Sequence, residues 1–549
     1  MSLDVTEYIA RNFSNETFSG YKDDKITLGE IIRQIDSIQR GVIYHSIIGG
    51  KIYPTTDTFQ SLNPNNPSQV IGQFSNFGTN PVNLASLIET TDSAVNEYRK
   101  ISVEQRASGL REIANVLRER RIPLVAAIVA EMGKTPFEAD ADIAEAIDFA
   151  NYYALSAEVL LGNKLSLFGG QKAELDNNPL GTSLSIDPFN FFAIKVGQDV
   201  LALAGGNSVI SKPSPHNSYC GLLAHEAEVE GFKRAGINIP GLINLMYGGK
   251  DEVHALLKSG KLGAFCYTGG REGGLQVMNS AQNFGADRIP GRGFYRAFPM
   301  AFETNGVNAS IVLNDASIDD AVNASIAAMT GYSGQKCSAR SWTIVQDGVY
   351  NEFKLKFLDS LSKVSVGPVI PDLSNDKLYN DMGALISEAA LNKTLNQIKY
   401  FVSKGAKIIY GENPRIQHPS GGYFMKPVVL EIDLETLDAN SELRNIEMFA
   451  PSKVLIRAKD FDEALRIEKM GEYALTGSLF TKDQETIARW RRESRVGNKY
   501  VNRKETGALV GQTFGGGGNS DSGLGGIKGA GGPHTVLRSV NQSSTVGYF

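Results

Sequence analysis

Hydrophobic and polar positions follow two periods along this chain. After Ser102, the residues Leu110, Ile113, Ala114 and Leu117 recur at i, i+3, i+4 and i+7, and Ser102 with Gln105 forms a capping box, so a helix is predicted there. A second apolar face predicts a helix from about Asp140 to Ala157. The region from Lys164 to Ile186 reads as strand, broken by turn signals at Gly169-Gly170 and at Asn177-Asn178-Pro179. Strands and helices then take turns. Strand is expected from Ser208 to Ser211, helix from Ser218 to Ala235, and strand from Ile243 to Tyr247. A short helix follows from Asp251 to Ser259, then a strand from Ala264 to Tyr267 that runs into a glycine-rich turn. A second alternating stretch extends from Ala309 to about Val501. Alternation at this spacing predicts an α/β fold with open layers of parallel strands.

The ends of the chain read differently. Short strands and turns are expected near Gly49 to Tyr53 and Ser61 to Pro64. The stretch from Phe514 to Pro533 is crowded with glycine, and Thr535 to Phe549 is strand-like. No internal repeat or low-complexity linker separates the parts. The two alternating stretches therefore predict two domains, with the segment near 161–180 and the tail as an accessory part.

Composition acts mainly by exclusion. A chain of 549 residues, 42% hydrophobic and 21% charged, has the make-up of a soluble globular protein with several cores. Its formal charge of −5 gives no electrostatic case for a nucleic-acid partner. The longest apolar run, from Ile122 to Ala130, contains Pro123, ends at Glu131 and is too short to span a bilayer. The start, MSLDVTEYIARNF, has no basic segment followed by an apolar one and is acidic for a transit peptide. A cytoplasmic address is expected, with the mitochondrial matrix left open. Three cysteines cannot build a disulfide framework, and six scattered histidines give no metal-ligand spacing, so no metal is expected.

One of those cysteines stands apart. Cys337 lies in Gly331-Tyr332-Ser333-Gly334-Gln335-Lys336-Cys337-Ser338-Ala339, a run of small and polar residues beside a lysine. A nucleophilic cysteine needs partial exposure and a setting that favours the thiolate. Cys220 sits on an expected helix and Cys266 in an apolar strand, where core packing is the expected role. Other polar or glycine-rich pieces punctuate the chain: Pro188-Phe189-Asn190-Phe191, Lys212-Pro213-Ser214, Gly269-Gly270-Arg271-Glu272-Gly273-Gly274, Glu303-Thr304-Asn305-Gly306, Glu447-Met448-Phe449 and Thr513-Phe514-Gly515. Singly each is weak.

As an ordered set, these pieces resemble the aldehyde dehydrogenase superfamily from roughly residue 45 to residue 540. Within it, Gly334 to Ala339, Glu138 to Asp142, Asn502 to Ala508 and Gly531-Gly532-Pro533 are most similar to the 1-pyrroline-5-carboxylate dehydrogenase branch. The resemblance implies a Rossmann-type NAD-binding domain, an α/β catalytic domain and a β-hairpin/C-terminal oligomerisation element. The implied boundaries are 1–160 with 181–305, then 306–512, then 161–180 with 530–549. It implies NAD(P)-dependent oxidation of L-glutamate γ-semialdehyde to L-glutamate, in proline catabolism. Cys337 would be the nucleophile, Asn190 an oxyanion donor and Glu303 the general base, with its pKa raised to suit the task. Lys212, Gly269, Gly270, Gly274, Glu447 and Phe449 would hold the cofactor. Ser338, Gly507 and Ala508 would bind the substrate carboxylate, Phe191 and Phe514 would flank its methylene chain, and Asp140 would meet its amino end.

Departures from the pattern leave alternatives open. Pro215 stands where many relatives carry a ribose-binding carboxylate, which leaves NADP open beside NAD. Gly270 replaces a frequent serine, and Asn305 replaces a glycine. Another semialdehyde or an aliphatic aldehyde is the nearest rival substrate, and a non-catalytic dinucleotide-binding protein is the rival from another class. The small-molecule substrate is the expected partner, with neither nucleic acid nor membrane, and the resemblance implies a homodimer or higher homo-oligomer.

Overall fold

The structure, a computed structural model, describes residues 5–19, 21, 24–162, 172–283, 298–521 and 529–547. Local signals set the helices before they pack. Ser102 accepts the Gln105 N–H and Gln105 returns to the Ser102 N–H, which starts the helix Val103–Glu119 where the capping box predicted it. The apolar run after Pro123 becomes a buried helix, Arg121–Met132, closed by Gly133 in the left-handed conformation. The next helix, α1 (Pro136–Leu161), is longer at both ends than its apolar face suggested. A Thr135–Glu138 capping box and Pro136 in the first turn fix its start. Among the described residues, no helix is long and apolar enough to cross a membrane.

These helices cover a seven-stranded sheet. In chain order it takes in β1 (Thr182–Ile186), β2 (Ser208–Lys212), β3 (Ile243–Leu245), β4 (Ala264–Thr268) and β5 (Phe298–Glu303), with helices α2 (Phe192–Ala204) between β1 and β2 and α3 (Arg271–Asn283) after β4. Across the sheet the order is β5-β4-β1-β2-β3, all parallel, followed by the antiparallel strands Ser46–Ile48 and Lys51–Tyr53. The chain builds outward from β1 to β3, then returns to the other side of β1 as β4. That reversal makes a crevice at the carboxyl ends of β1 and β4, the place where open α/β sheets bind ligands.

The second sheet is also seven-stranded. It contains β6 (Asn308–Val312), β7 (Arg340–Gln346), β8 (Val428–Ile432), β9 (Ser452–Ala458), β10 (Thr476–Phe480) and β11 (Asn498–Val501). Its order is β8-β9-β7-β6-β10-β11, parallel throughout, with Lys407–Tyr410 antiparallel at the β8 edge. The chain passes from the carboxyl end of β5 directly to the amino end of β6. The two sheets therefore meet along a seam, with strand ends from both sides facing it.

One sequence expectation is corrected here. Asn177-Asn178-Pro179 does not form a turn: it lies in the strand Lys172–Pro179, paired antiparallel with Val540–Gly547 from Pro179↔Val540 to Lys172↔Gly547. A partner from the far end of the chain supplies the ladder hydrogen bonds, which outweighs the local turn preference of Asn and Pro. The turn expected at Gly169-Gly170 lies outside the described residues. The strand-like tail begins as a 3-10 turn, Thr535–Ser539, before the strand.

A buried ion pair joins two functional loops of the second sheet. Arg340, at the start of β7, meets both carboxylate oxygens of Glu505 and also donates to Ser478 Oγ at 3.1 Å. Both side chains of the pair are fully buried. Removing one partner leaves a buried charge uncompensated. Glu505→Ala should therefore destabilise the fold by about 3–5 kcal/mol, read by chemical denaturation, while exposed pairs such as Lys363–Asp359 should cost under ~1 kcal/mol.

Candidate active site

The loop that carries Cys337 is strained and heavily braced. Tyr332, Ser333 and Gly334 are consecutive residues with φ of 49°, 52° and 72°. For Tyr and Ser that conformation costs roughly 1–3 kcal/mol each and persists only where surroundings impose it. Tyr332 OH donates to the Met132 carbonyl at 2.6 Å, and its N–H donates to Glu138 Oε1. Ser333 Oγ donates to Gly383 O at 2.9 Å. A Cβ on Gly334 would stand 2.2 Å from the Ala450 carbonyl, so only glycine fits there. Gln335 completes the brace: its side-chain oxygen accepts the Ile386 N–H at 2.8 Å, and its carbonyl accepts from Asn190 Nδ2 at 3.0 Å.

The seam between the sheets clamps the same loop from the other side. Asn308, first residue of β6, donates through Nδ2 to the carbonyls of Cys337 and Ala339, each at 2.7 Å. Its Oδ1 accepts the Thr476 N–H at 3.0 Å, which fixes the amide's orientation. A Cβ on Gly306 would stand 2.0 Å from the Cys337 carbonyl, so the backbone passes against the cysteine with no room for a side chain. The Gly306 N–H donates to Glu447 Oε1 at 3.0 Å. Asn308 had no distinguishing signal in the sequence, since a polar residue at a strand start is ordinary.

The other expected residues sit on strand ends. Lys212 closes β2 and pairs in register with Ile186 of β1; Tyr267 of β4 pairs with Ile186, and Thr268 with Glu303 of β5. Asn190 follows β1, four residues beyond Ile186, and Gly269 and Gly270 follow β4. The Gly269 N–H donates to the Glu303 carbonyl at 3.1 Å. Glu303 is buried, and its carboxylate packs against Gly529 so closely that a Cβ there would overlap Oε1.

These strand ends suit a dinucleotide. Gly270 precedes α3, and nothing lies within 4 Å of where its Cβ would stand, while Asn305 Oδ1 accepts the Arg271 N–H at 2.7 Å at the start of the helix. Gly274 lies one turn on, against Tyr267 and Phe302. Lys212 Nζ donates to the carbonyls of Pro213 at 3.2 Å and Gly248 at 3.1 Å, which leaves one of its three N–H groups for a ribose hydroxyl. Glu447 keeps its second oxygen for the same purpose. Phe449, at φ 49°, stands edge-on to Phe189 at 6.0 Å.

A cavity of about 280 Å³ collects most of the expected substrate and catalytic residues. Its lining includes Cys337, Ser338, Glu303, Phe191, Gly507, Ala508 and Phe514. Asn190 is 4% exposed and reaches the nucleophile loop through Gln335 rather than by lining the cavity. One face of α1 forms a wall: Glu138, Ala141, Asp142, Glu145, Phe149 and Tyr153 recur at helical spacing. Asp140 lies about 200° around the helix from Glu138 and does not serve the cavity. It is committed to Arg121 Nε at 2.6 Å, the Ser19 N–H at 3.0 Å and Tyr21 OH at 3.3 Å. The sequence reading picked the right segment and the wrong residue, because the start of α1 fixes which acidic side chains face inward.

Charge in the cavity is mixed. Lys134 Nζ meets Asp142 at 2.7 Å and lies 4.2 Å from the Phe191 ring centroid, and Lys336 lies 5.9 Å from the same ring. Asp142 also caps α2, accepting the N–H groups of Phe192 at 3.0 Å and Ala193 at 2.9 Å. Burial pushes Glu145 up to about 8, with Asp142 adding to the shift, and burial pushes Glu447 up to about 8 as well. Lys336 is held below the usual lysine range by burial. Cys337 is partly exposed, yet desolvation and the carboxylates of Glu303 and Glu447 push its thiol above the ordinary cysteine range. The setting expected of a nucleophilic cysteine, one that favours the thiolate, is not what surrounds Cys337 here: burial and two carboxylates oppose its ionisation. Cys220 and Cys266 are buried in the core, as expected.

Comparisons with known proteins agree with this geometry. The sequence pattern of the aldehyde dehydrogenase family matches residues 52–542. The chain is 33% identical to 1-pyrroline-5-carboxylate dehydrogenase 1 of Halalkalibacterium halodurans, over 87% of this chain and 88% of that one. It is 32% identical to the 1-pyrroline-5-carboxylate dehydrogenase of Bacillus subtilis, over 92% and 94%. A solved 1-pyrroline-5-carboxylate dehydrogenase from Thermus with bound NAD superposes with a TM-score of 0.87 at 30% identity, covering 100% of both chains. Strained nucleophile loop, strand-end crevice and matching sequence lead to one conclusion: this chain belongs to the aldehyde dehydrogenase family.

Proposed function

We propose that the protein oxidises glutamate γ-semialdehyde, the open form of 1-pyrroline-5-carboxylate, to glutamate with NAD. The observation that carries this reading is the convergence of Cys337, Glu303, Ser338, Gly507, Ala508, Phe191 and Phe514 on one cavity. The names of the relatives point the same way. A zwitterionic substrate suits the mixed wall. Its carboxylate would accept from the Ser338 hydroxyl and the N–H groups of Gly507 and Ala508, and its ammonium would face the acidic side of α1. An aliphatic aldehyde would leave those charges without a use.

The steps follow from the residues. Cys337 Sγ attacks the aldehyde carbon and forms a C–S bond, and the carbonyl oxygen gains the electron pair. The Cys337 backbone N–H and the second Asn190 amide proton would receive that oxyanion; losing one such donor typically costs about 100- to 1,000-fold in rate. Bound NAD supplies the acceptor for the hydride that leaves the thiohemiacetal. Glu303 then takes a proton from water, which attacks the thioester carbonyl and releases the acid and the thiol. Burial and the nearby carboxylates oppose ionisation of the thiol, so its proton would leave to solvent before the sulfur attacks, and Glu303 is kept for the hydrolysis step. Lys212, Gly269, Gly270, Gly274, Glu447 and Phe449 would hold the cofactor. The antiparallel ribbon of Lys172–Pro179 with Val540–Gly547 offers edges for pairing across a homo-oligomer.

Two outcomes test the mechanism. With pyrroline-5-carboxylate, Cys337→Ala should abolish NADH formation, whereas Glu303→Gln should give a single burst of NADH in rapid mixing and then turn over about 100- to 1,000-fold more slowly. Retained steady turnover in Cys337→Ala would remove the nucleophile. The second test reads the thiol directly in the cofactor-free protein. Iodoacetamide should alkylate Cys337 slowly at pH 7 and faster as pH rises. Glu447 opposes the thiolate only when charged, and its carboxyl titrates at about 8. The rate advantage of Glu447→Gln over wild type should therefore be small at pH 7 and grow above pH 8; a constant ratio would count against that coupling.

A further inference from the structure

The cavity has a rim that the mechanism does not use. Of its apolar lining residues, Phe18 is 46% exposed, Phe137 39% and Leu509 54%. They come from three distant parts of the chain and line the cavity with faces open to solvent. Phe18 and Phe137 stand edge to face with centroids 5.5 Å apart.

Phe18 belongs to an N-terminal strap that is tied down on either side of it. Phe13 packs edge-on to Tyr152 at 4.9 Å. Asn15 Nδ2 and the Glu16 N–H each donate to Asp148 at 2.7 Å. Arg118 Nε grips Glu16 at 3.0 Å, and Arg121 donates to Glu16 at 3.2 Å and to the Thr17 carbonyl at 2.8 Å. Beyond Phe18, the Ser19 N–H and Tyr21 OH both donate to Asp140. Each of these ties uses residues other than Phe18, whose ring makes its own contact with Phe137. The strap delivers the ring to the cavity mouth.

We infer that Phe18 is a specificity-determining residue: it narrows the entrance so that short, unbranched aldehydes reach Cys337 and bulky ones do not. The substrate part of this inference rests on the function proposed above; the steric part does not. Both are tested with full-length Phe18→Ala and Phe18→Trp. Cys220 and Cys266 are buried, so thiol labelling reports Cys337. Truncation should speed labelling by bulky N-(1-pyrenyl)maleimide by about tenfold and by iodoacetamide less than twofold, and enlargement should slow the bulky reagent. A general loosening of the fold cannot move the two variants in opposite directions. In parallel, Phe18→Ala should raise kcat/KM for benzaldehyde relative to the semialdehyde by about tenfold, with kcat for the semialdehyde within about twofold. The same reagent-size dependence in all three proteins would overturn the inference. Size-dependent labelling without semialdehyde turnover by the wild type would keep the gate and remove the proposed substrate.

Discussion

Everything at this site depends on the short crossing from Glu303 to Asn308. It ends one sheet and begins the other. In that span the chain presents a carboxylate at the end of β5, a glycine whose backbone lies against the cysteine carbonyl, and an amide that holds the carbonyls of Cys337 and Ala339. The carboxylate comes from the end of one sheet and the sulfur from a loop of the other, and this crossing brings both to one cavity. Joining two sheets by a few residues sets the spacing between those groups to within the reach of a side chain.

The same seam decides the electrostatics. A sulfur set among buried carboxylates is harder to ionise, and burial itself raises its pKa. The neighbouring Lys336 is itself held below its usual range by burial and lies over the Phe191 ring. A thiol that is harder to ionise is less open to oxidation and adventitious alkylation than a thiolate.

What was legible in the sequence had local signals. Glycines at turns, a capping box at Ser102 and an ordered set of polar motifs marked the strand ends at Lys212 and Glu303, and the nucleophile loop. Thr135 and Glu138 also carried a capping-box signal, and reading it would have fixed the start of α1 and turned Glu138, Asp142 and Glu145 inward in place of Asp140. What was not legible depended on partners far away in the chain. Asn308 acts through Cys337 and Thr476, the strand at Asn177–Pro179 is decided by the last residues, and Phe18 reaches the cavity through ties to Asp140 and Asp148. Propensity has no access to such contacts.

The strain in the nucleophile loop explains why so many regions converge on it. Two non-glycine residues in left-handed conformation store free energy that would relax the loop if the braces were few. Met132, Glu138, Asn190, Asn308 and the loop of Gly383 and Ile386 brace it from five separate stretches of chain. Helix α1 contributes both a brace, through Glu138, and the acidic wall of the cavity. The strap that carries Phe18 is tied to the same helix through Asp140 and Asp148. Thus one helix sets the position of the cysteine loop on its inner face and of the entrance ring through its outer carboxylates. The wall, the cysteine loop and the mouth therefore share one helix as a common reference, and the register of α1 fixes how they stand relative to one another.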